Sequence, residues 1–161
     1  MSEGFHLHPI GRLRTPFQTI ADCPRNGRQP QPAPDCTAEV DAAFWPGLAG
    51  VETFSHLVLL YWLGPQGDAL TIVPHGDALT IVPPFDGARR GVFATRAPVR
   101  PNPIGLSVVE LLDAAEGCLT VRHLDCVDGT ALLDIKPYLP STDAEPGASM
   151  GWLAPHRTIR A

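Results

Sequence analysis

Proline constrains this chain more than any other feature: 18 of its 161 residues are proline, about twice the usual share of roughly 5%. Each removes a backbone donor and clashes with the preceding turn of a helix, so helices cannot dominate. Residues 22–36, DCPRNGRQPQPAPDC, hold four prolines and two arginines. Such a segment is irregular and is ordered only by packing or by a ligand. Farther on, Pro98, Pro101 and Pro103 stiffen a turn that presents Arg100 and Asn102, preorganising a site at low entropic cost.

Strand signals fill the rest. Phe5, Leu7, Ile10 and Leu13 alternate loosely with polar residues and predict an opening strand within residues 5–17. Val51–Leu63, VETFSHLVLLYWL, reads as a central strand buried on both faces. After Arg89-Arg90 the pattern runs strand, proline-studded turn, strand. Two more strands follow, Cys118–Leu124 after the Glu116-Gly117 turn and Thr130–Tyr138 after the hairpin signal Asp128-Gly129. One short helix is predicted from Thr37, which caps AEVDAAF with Glu39 and Asp41 in its first turn, before Pro46-Gly47 stops it. Consecutive antiparallel strands imply a mainly β fold: a small antiparallel β-barrel with one or two short helices and long proline-rich loops. A chain 44% hydrophobic fills one core, with the barrel over residues 1–140 and a tail over 141–161, where Trp152 packs against the barrel or a partner subunit. The octapeptide GDALTIVP occurs at 67–74 and again at 76–83. It is too short for a solenoid unit and reads as a local duplication that lengthens a loop or adds a hairpin.

Several function classes recede. A net charge of −5 opposes the broad basic field of non-specific nucleic-acid binders, so any RNA contact is local. No apolar run approaches the roughly 20 residues of a membrane span, and the N-terminus carries no secretory pattern, which predicts a cytoplasmic protein. Cys23, Cys36, Cys118 and Cys126 form no CxxC pair, and the histidines form no zinc pattern, so the thiols are expected reduced and structural, with no metal site. No GxGxxG stands at a strand-to-helix turn, so a doubly wound nucleotide fold has little support.

FSHLVLLYWL at 54–63, GVFATRAPVRPNPIGLSVVEL at 91–111 and DGTALLDIKPYLP at 128–140, with IGRLRTPF and CPRNGRQP upstream, resemble the TsaA/TrmO-like family of S-adenosylmethionine-dependent tRNA (adenine(37)-N6)-methyltransferases. The likeness runs through nearly the whole chain in the same order. It implies a barrel that dimerises, holds S-adenosylmethionine near the subunit interface and methylates N6 of threonylcarbamoyladenosine 37 in tRNA. The longer members carry a further C-terminal domain, which keeps open a second reading: a non-catalytic S-adenosylmethionine-binding regulatory or interaction module.

By matching position, the resemblance implies cofactor contacts at Arg28, Gln29, Pro30, Arg96 and Leu106, and at Asp128, Gly129, Thr130 and Ala131. Leu63 and Gly64 are carried over through backbone atoms alone, since Gly64-Pro65 stands where the family tends to have histidine and a polar residue. Arg96 can fork a carboxylate, or pair with Glu52 or Glu110. Asp128–Ala131 either contact the cofactor or close a hairpin. Asn102 pairs with a base edge or the cofactor, or caps its own turn. The target nitrogen is a poor nucleophile until its proton leaves, so a general base is needed. Candidates are Asp134, His56, and Tyr138 with Lys136; Lys136 would keep Asp134 ionised, and His56 is alternatively a core histidine. A plain barrel for single-stranded RNA would need exposed aromatics beside basic residues, and Tyr61, Trp62 and Phe93 are expected to be buried.

Overall fold

The computed structural model of the chain describes residues 6–64 and 79–157. Phe5, Pro65, the first GDALTIVP copy and the start of the second lie outside the described residues. The strands are β1 (Gly11–Arg14), β2 (Asp35–Val40), β3 (His56–Trp62), β4 (Thr80–Ile81), β5 (Arg90–Gly91), β6 (Ile104–Ala115), β7 (Cys118–Arg122) and β8 (Thr130–Pro137). Six of them close a barrel in the order β1-β2-β7-β6-β3-β8, every neighbouring pair antiparallel. β4 and β5 form a separate hairpin, to which the second octapeptide copy supplies Thr80 and Ile81. The α-helix α1 is the four residues Pro140–Asp143, and the other helical pieces are short 3-10 turns.

Alternation makes the core. Leu57, Leu59 and Tyr61 point inward from β3, facing Val109 on β6 and Leu132 on β8, and all are buried. Each buried leucine contributes about 2 kcal/mol. Trp62 faces outward and is covered by Leu7, Ala131 and Leu133.

The structure corrects two local expectations. Residues 35–40 are strand β2, not the beginning of a helix: Cys36, Ala38 and Val40 are buried at every second position, and pairing with β1 and β7 overrides the capping signal at Thr37. The chain turns helical only at the 3-10 segment Ala42–Leu48. Likewise Val51–Thr53 is a 3-10 turn, and the central strand starts at His56.

Antiparallel pairing sorts the strand ends onto two rims. At one rim β1 ends at Arg14, β3 at Trp62 and β7 at Arg122, while β2, β6 and β8 begin there. The connections 15–34 and 123–129, and the described residues 63–64 and 79–103 of the third, therefore belong to this rim. The opposite rim carries residues 41–55 and the tight turn Glu116-Gly117.

Candidate cofactor cleft

The three rim connections enclose a cleft of about 430 Å³ lined by Arg28, Arg96, Leu63, Leu106, His123 and Asp125, among others. The turn that carries Arg96 is folded around another arginine. Nη1 of Arg100 donates to the carbonyls of Val92 at 3.0 Å, Thr95 at 2.8 Å and Ala97 at 3.3 Å. Arg100 is thus turned inward as a brace, where the proline spacing predicted that the turn would present it. Arg96 donates from Nη2 to the Leu106 carbonyl at 2.9 Å, and among the described residues it makes no ion pair with Glu52 or Glu110. Leu63, Ile104 and Leu106 are 36%, 41% and 44% exposed and give the cleft an apolar wall beside the guanidinium.

The floor is polar. The Tyr61 hydroxyl donates to Asp125 Oδ1 at 2.8 Å and pairs with Ser107 Oγ at 2.8 Å. With the phenol's proton committed to Asp125, Ser107 donates to the phenol oxygen. Burial, then the Asp125 charge, pushes the phenol well above the ordinary tyrosine value, so Tyr61 remains a donor that fixes the carboxylate. Residues 25–29 close the second side: the Arg25 N–H donates to Gln29 Oε1 at 2.7 Å and the Arg28 N–H to Asn26 Oδ1 at 3.0 Å. Gly27 is required here, because a Cβ would stand 1.8 Å from the His123 carbonyl oxygen.

Among the sequence candidates, Arg28, Leu63, Arg96 and Leu106 meet in this cleft. Gln29 and Pro30 continue the Arg28 loop without lining it, and Gly64 packs against the Trp62 indole. Asn102 is exposed beside the cleft, its carbonyl accepting from the Ile104 N–H at 2.7 Å. Asp128–Ala131 lie on the same rim but outside the lining, and they do close the chain on itself. The Asp128 N–H bonds Phe17 O at 2.7 Å, the Gly129 N–H bonds Leu13 O at 2.8 Å, and Asp128 Oδ1 accepts from the Thr15 N–H at 3.0 Å. Thr130 and Ala131 are buried.

The four acid–base candidates stand on the outer face of the barrel, outside the cleft lining. Asp134 pairs with Lys136 at 2.9 Å, His56 Nδ1 meets Ser55 Oγ at 2.9 Å, and the His56 and Tyr138 rings lie 6.4 Å apart. Tyr61 and Trp62 are buried as expected, whereas Phe93 is 75% exposed. The tail braces the same region: Trp152 Nε1 donates to the Ala94 carbonyl at 2.8 Å, and the Arg90 guanidinium lies 4.0 Å from its ring centroid. Reading the sequence missed Tyr61 and Ser107, which look like ordinary core positions, and Asp125 and His123, which sit in no recognisable spacing.

The chain is thus a closed antiparallel barrel with a cleft made by arginine-bearing loops of one rim, built differently from doubly wound nucleotide folds. The family model described as the tRNA-methyltransferase O N-terminal domain matches residues 12–144. The chain belongs to that family. A relative from Archaeoglobus fulgidus named "Probable S-adenosyl-L-methionine-binding protein" is 41% identical over 147 residues, covering 91% of this chain and 37% of the relative. The tRNA (adenine(37)-N6)-methyltransferase of Escherichia coli is 36% identical over 161 residues, covering 92% of this chain and 63% of that protein. The crystal structure of TrmO from Pseudomonas aeruginosa superposes with a TM-score of 0.70 at 35% identity, covering 94% of this chain and 62% of the other. The chain therefore spans less than two thirds of each of these proteins.

Proposed function

We propose that this chain binds S-adenosylmethionine in the rim cleft and, as a homodimer, transfers the methyl group to N6 of threonylcarbamoyladenosine 37 in tRNA, a substrate that places its work in the cytoplasm. One observation carries the reading: a braced Arg96 shares a cleft with the tyrosine-held carboxylate of Asp125 and an apolar wall. That donor and acceptor suit the carboxylate and ammonium ends of an amino acid. Leu63, Ile104 and Leu106 suit a thioether and an adenine ring. The volume falls within the roughly 300–1,000 Å³ of small-molecule sites. When bound, S-adenosylmethionine supplies an electrophilic methyl group, and the chain's part is to hold donor and acceptor in line.

The homodimer is supported by the outer face of β3 and β6, where exposed Ile104 and Leu106 adjoin half-buried Val58, Leu60 and Val108. A second copy on this face would approach the cleft, and it gives Asp128–Ala131 and the outer candidates Asp134, Lys136, His56 and Tyr138 a route to a site they do not reach within one chain. Exposed Phe93 offers a stacking surface for an unpaired base, the kind of local RNA contact that an acidic protein can make. The name of the Archaeoglobus relative speaks of binding S-adenosyl-L-methionine, the part that the second reading, a binding module, also requires.

Calorimetric titration with S-adenosylmethionine, followed by incubation with threonylcarbamoyl-modified tRNA and mass spectrometry of the nucleosides, separates the cases. Heat and one added methyl group support the enzyme. Heat with an unchanged nucleoside profile supports the binding module, and absence of heat at millimolar ligand removes both.

A further inference from the structure

His123 is the feature of the cleft whose backbone conformation no turn explains. Among the described residues two non-glycine positions have positive φ, Glu116 at 49° and His123 at 81°. Glu116 precedes Gly117 at φ 80° in the two-residue β6–β7 hairpin, where such turns need positive φ at both central positions. His123 has no such turn to explain it. It follows β7 at the rim, in a conformation that glycine adopts without cost and that a histidine holds only where its surroundings impose it.

Those surroundings aim the ring. His123 Nδ1 lies 3.1 Å from the Gly27 carbonyl oxygen. A carbonyl only accepts, so Nδ1 carries the hydrogen and the neutral ring keeps its lone pair on Nε2. Gly27 is pressed so closely against the His123 backbone that no side chain fits there, which ties the arginine loop to this histidine. His123 shares the cleft lining with Arg96 and Asp125. The Asp125 carboxylate is already engaged by the Tyr61 hydroxyl, whereas the neutral imidazole, with its hydrogen on Nδ1, keeps a lone pair on Nε2.

We propose that His123 is the general base of the methyl transfer, taking the proton of the acceptor's N–H at Nε2. This rests on the methyltransferase reading above. As the proton passes to Nε2, the nitrogen lone pair it leaves forms the bond to the methyl carbon. The carbon–sulfur bond breaks with its electron pair remaining on sulfur, which becomes a neutral thioether, and the imidazolium later gives its proton to water. Burial keeps the His123 ring below the ordinary histidine value. Arg28 and His56 push the same way, against the Gly27 carbonyl and Glu110, so the base form prevails at neutral pH.

The test uses the full chain, S-adenosylmethionine and threonylcarbamoyl-modified tRNA, with His123→Asn and His123→Gly. Both replacements tolerate the left-handed backbone. The expected result is that both variants still bind S-adenosylmethionine by calorimetry, weakened by no more than about tenfold through the lost hydrogen bond to the Gly27 carbonyl, and still melt cooperatively. The methylation rate falls about 100-fold or more. The acidic limb of the parent's kcat/KM profile, centred below the ordinary histidine value, disappears in both variants. Nitrogen-15 NMR of the parent should show Nδ1 protonated and Nε2 bare. Variants that methylate at the parent rate with the same acidic limb overturn the role of His123 alone; a parent chain that binds S-adenosylmethionine but methylates at no pH overturns the methyltransferase reading and the base with it.

Discussion

Replacing Arg100 with alanine should loosen the cleft while leaving the barrel intact. The Arg100 Nη1 group is shared among three carbonyls of the 92–97 turn, the best of them at 2.8 Å. A hydrogen bond from a charged donor is worth about 1.5–3 kcal/mol. Only two N–H groups serve the three acceptors, and the surroundings are half-buried, so the brace contributes about 2 kcal/mol to the ordered turn. That turn lies outside the barrel ladder, so the loss falls on the population of the binding-ready loop and weakens cofactor affinity about 30-fold. Calorimetry of the parent, Arg100→Ala and Arg100→Lys gives the dissociation constants, with urea unfolding of each alongside. A lysine, with one ammonium in place of the planar fork, should recover only part of the affinity. Unchanged affinity in Arg100→Ala, or a loss matched by an equal fall in global stability, would refute the brace.

Tyr61 provides an alkaline test. Its phenol binds the proton more tightly in the folded chain than in the unfolded one. The stability this confers is complete below about pH 10 and is lost as pH rises beyond it; urea midpoints should fall progressively from about pH 10 upward, and less so in Tyr61→Phe, which itself costs about 1–2 kcal/mol at neutral pH. Burial pushes the thiol of Cys36 up to about 11 and that of Cys126 up to about 12. Ellman's reagent should therefore modify exposed Cys118 within minutes and reach those two only on unfolding. Phe93→Ala should weaken tRNA binding about tenfold, given stacking worth about 1–3 kcal/mol per base, without changing affinity for S-adenosylmethionine.

The barrel was legible because its signals are local and periodic. Asp128-Gly129 and Glu116-Gly117 mark turns on their own, and Leu57, Leu59 and Tyr61 alternate inside one hydrophobic run. Thr37 misled because a capping pattern is also local, while the pairing of residues 35–40 with β1 and β7 is not. The cleft was half legible. Arg28, Arg96, Leu63 and Leu106 came from resemblance, and the structure brings them together on one rim. Asp125 and His123 stayed hidden, because nothing in HLDCVDG states that Tyr61, 64 positions earlier, will bond the carboxylate, or that position 123 will adopt a glycine conformation. Arg100 was read as displayed because proline spacing stiffens a turn without revealing which way its side chains point.

Electron density from a crystal grown with S-adenosylmethionine decides whether the rim cleft is the cofactor site. The expected density lies in the rim cleft, with the ligand's carboxylate on Arg96, its ammonium toward Asp125 and its apolar parts against Leu63, Ile104 and Leu106. Density for the ligand at the opposite rim, or on the outer face of the barrel with the cleft filled by water, would contradict that placement.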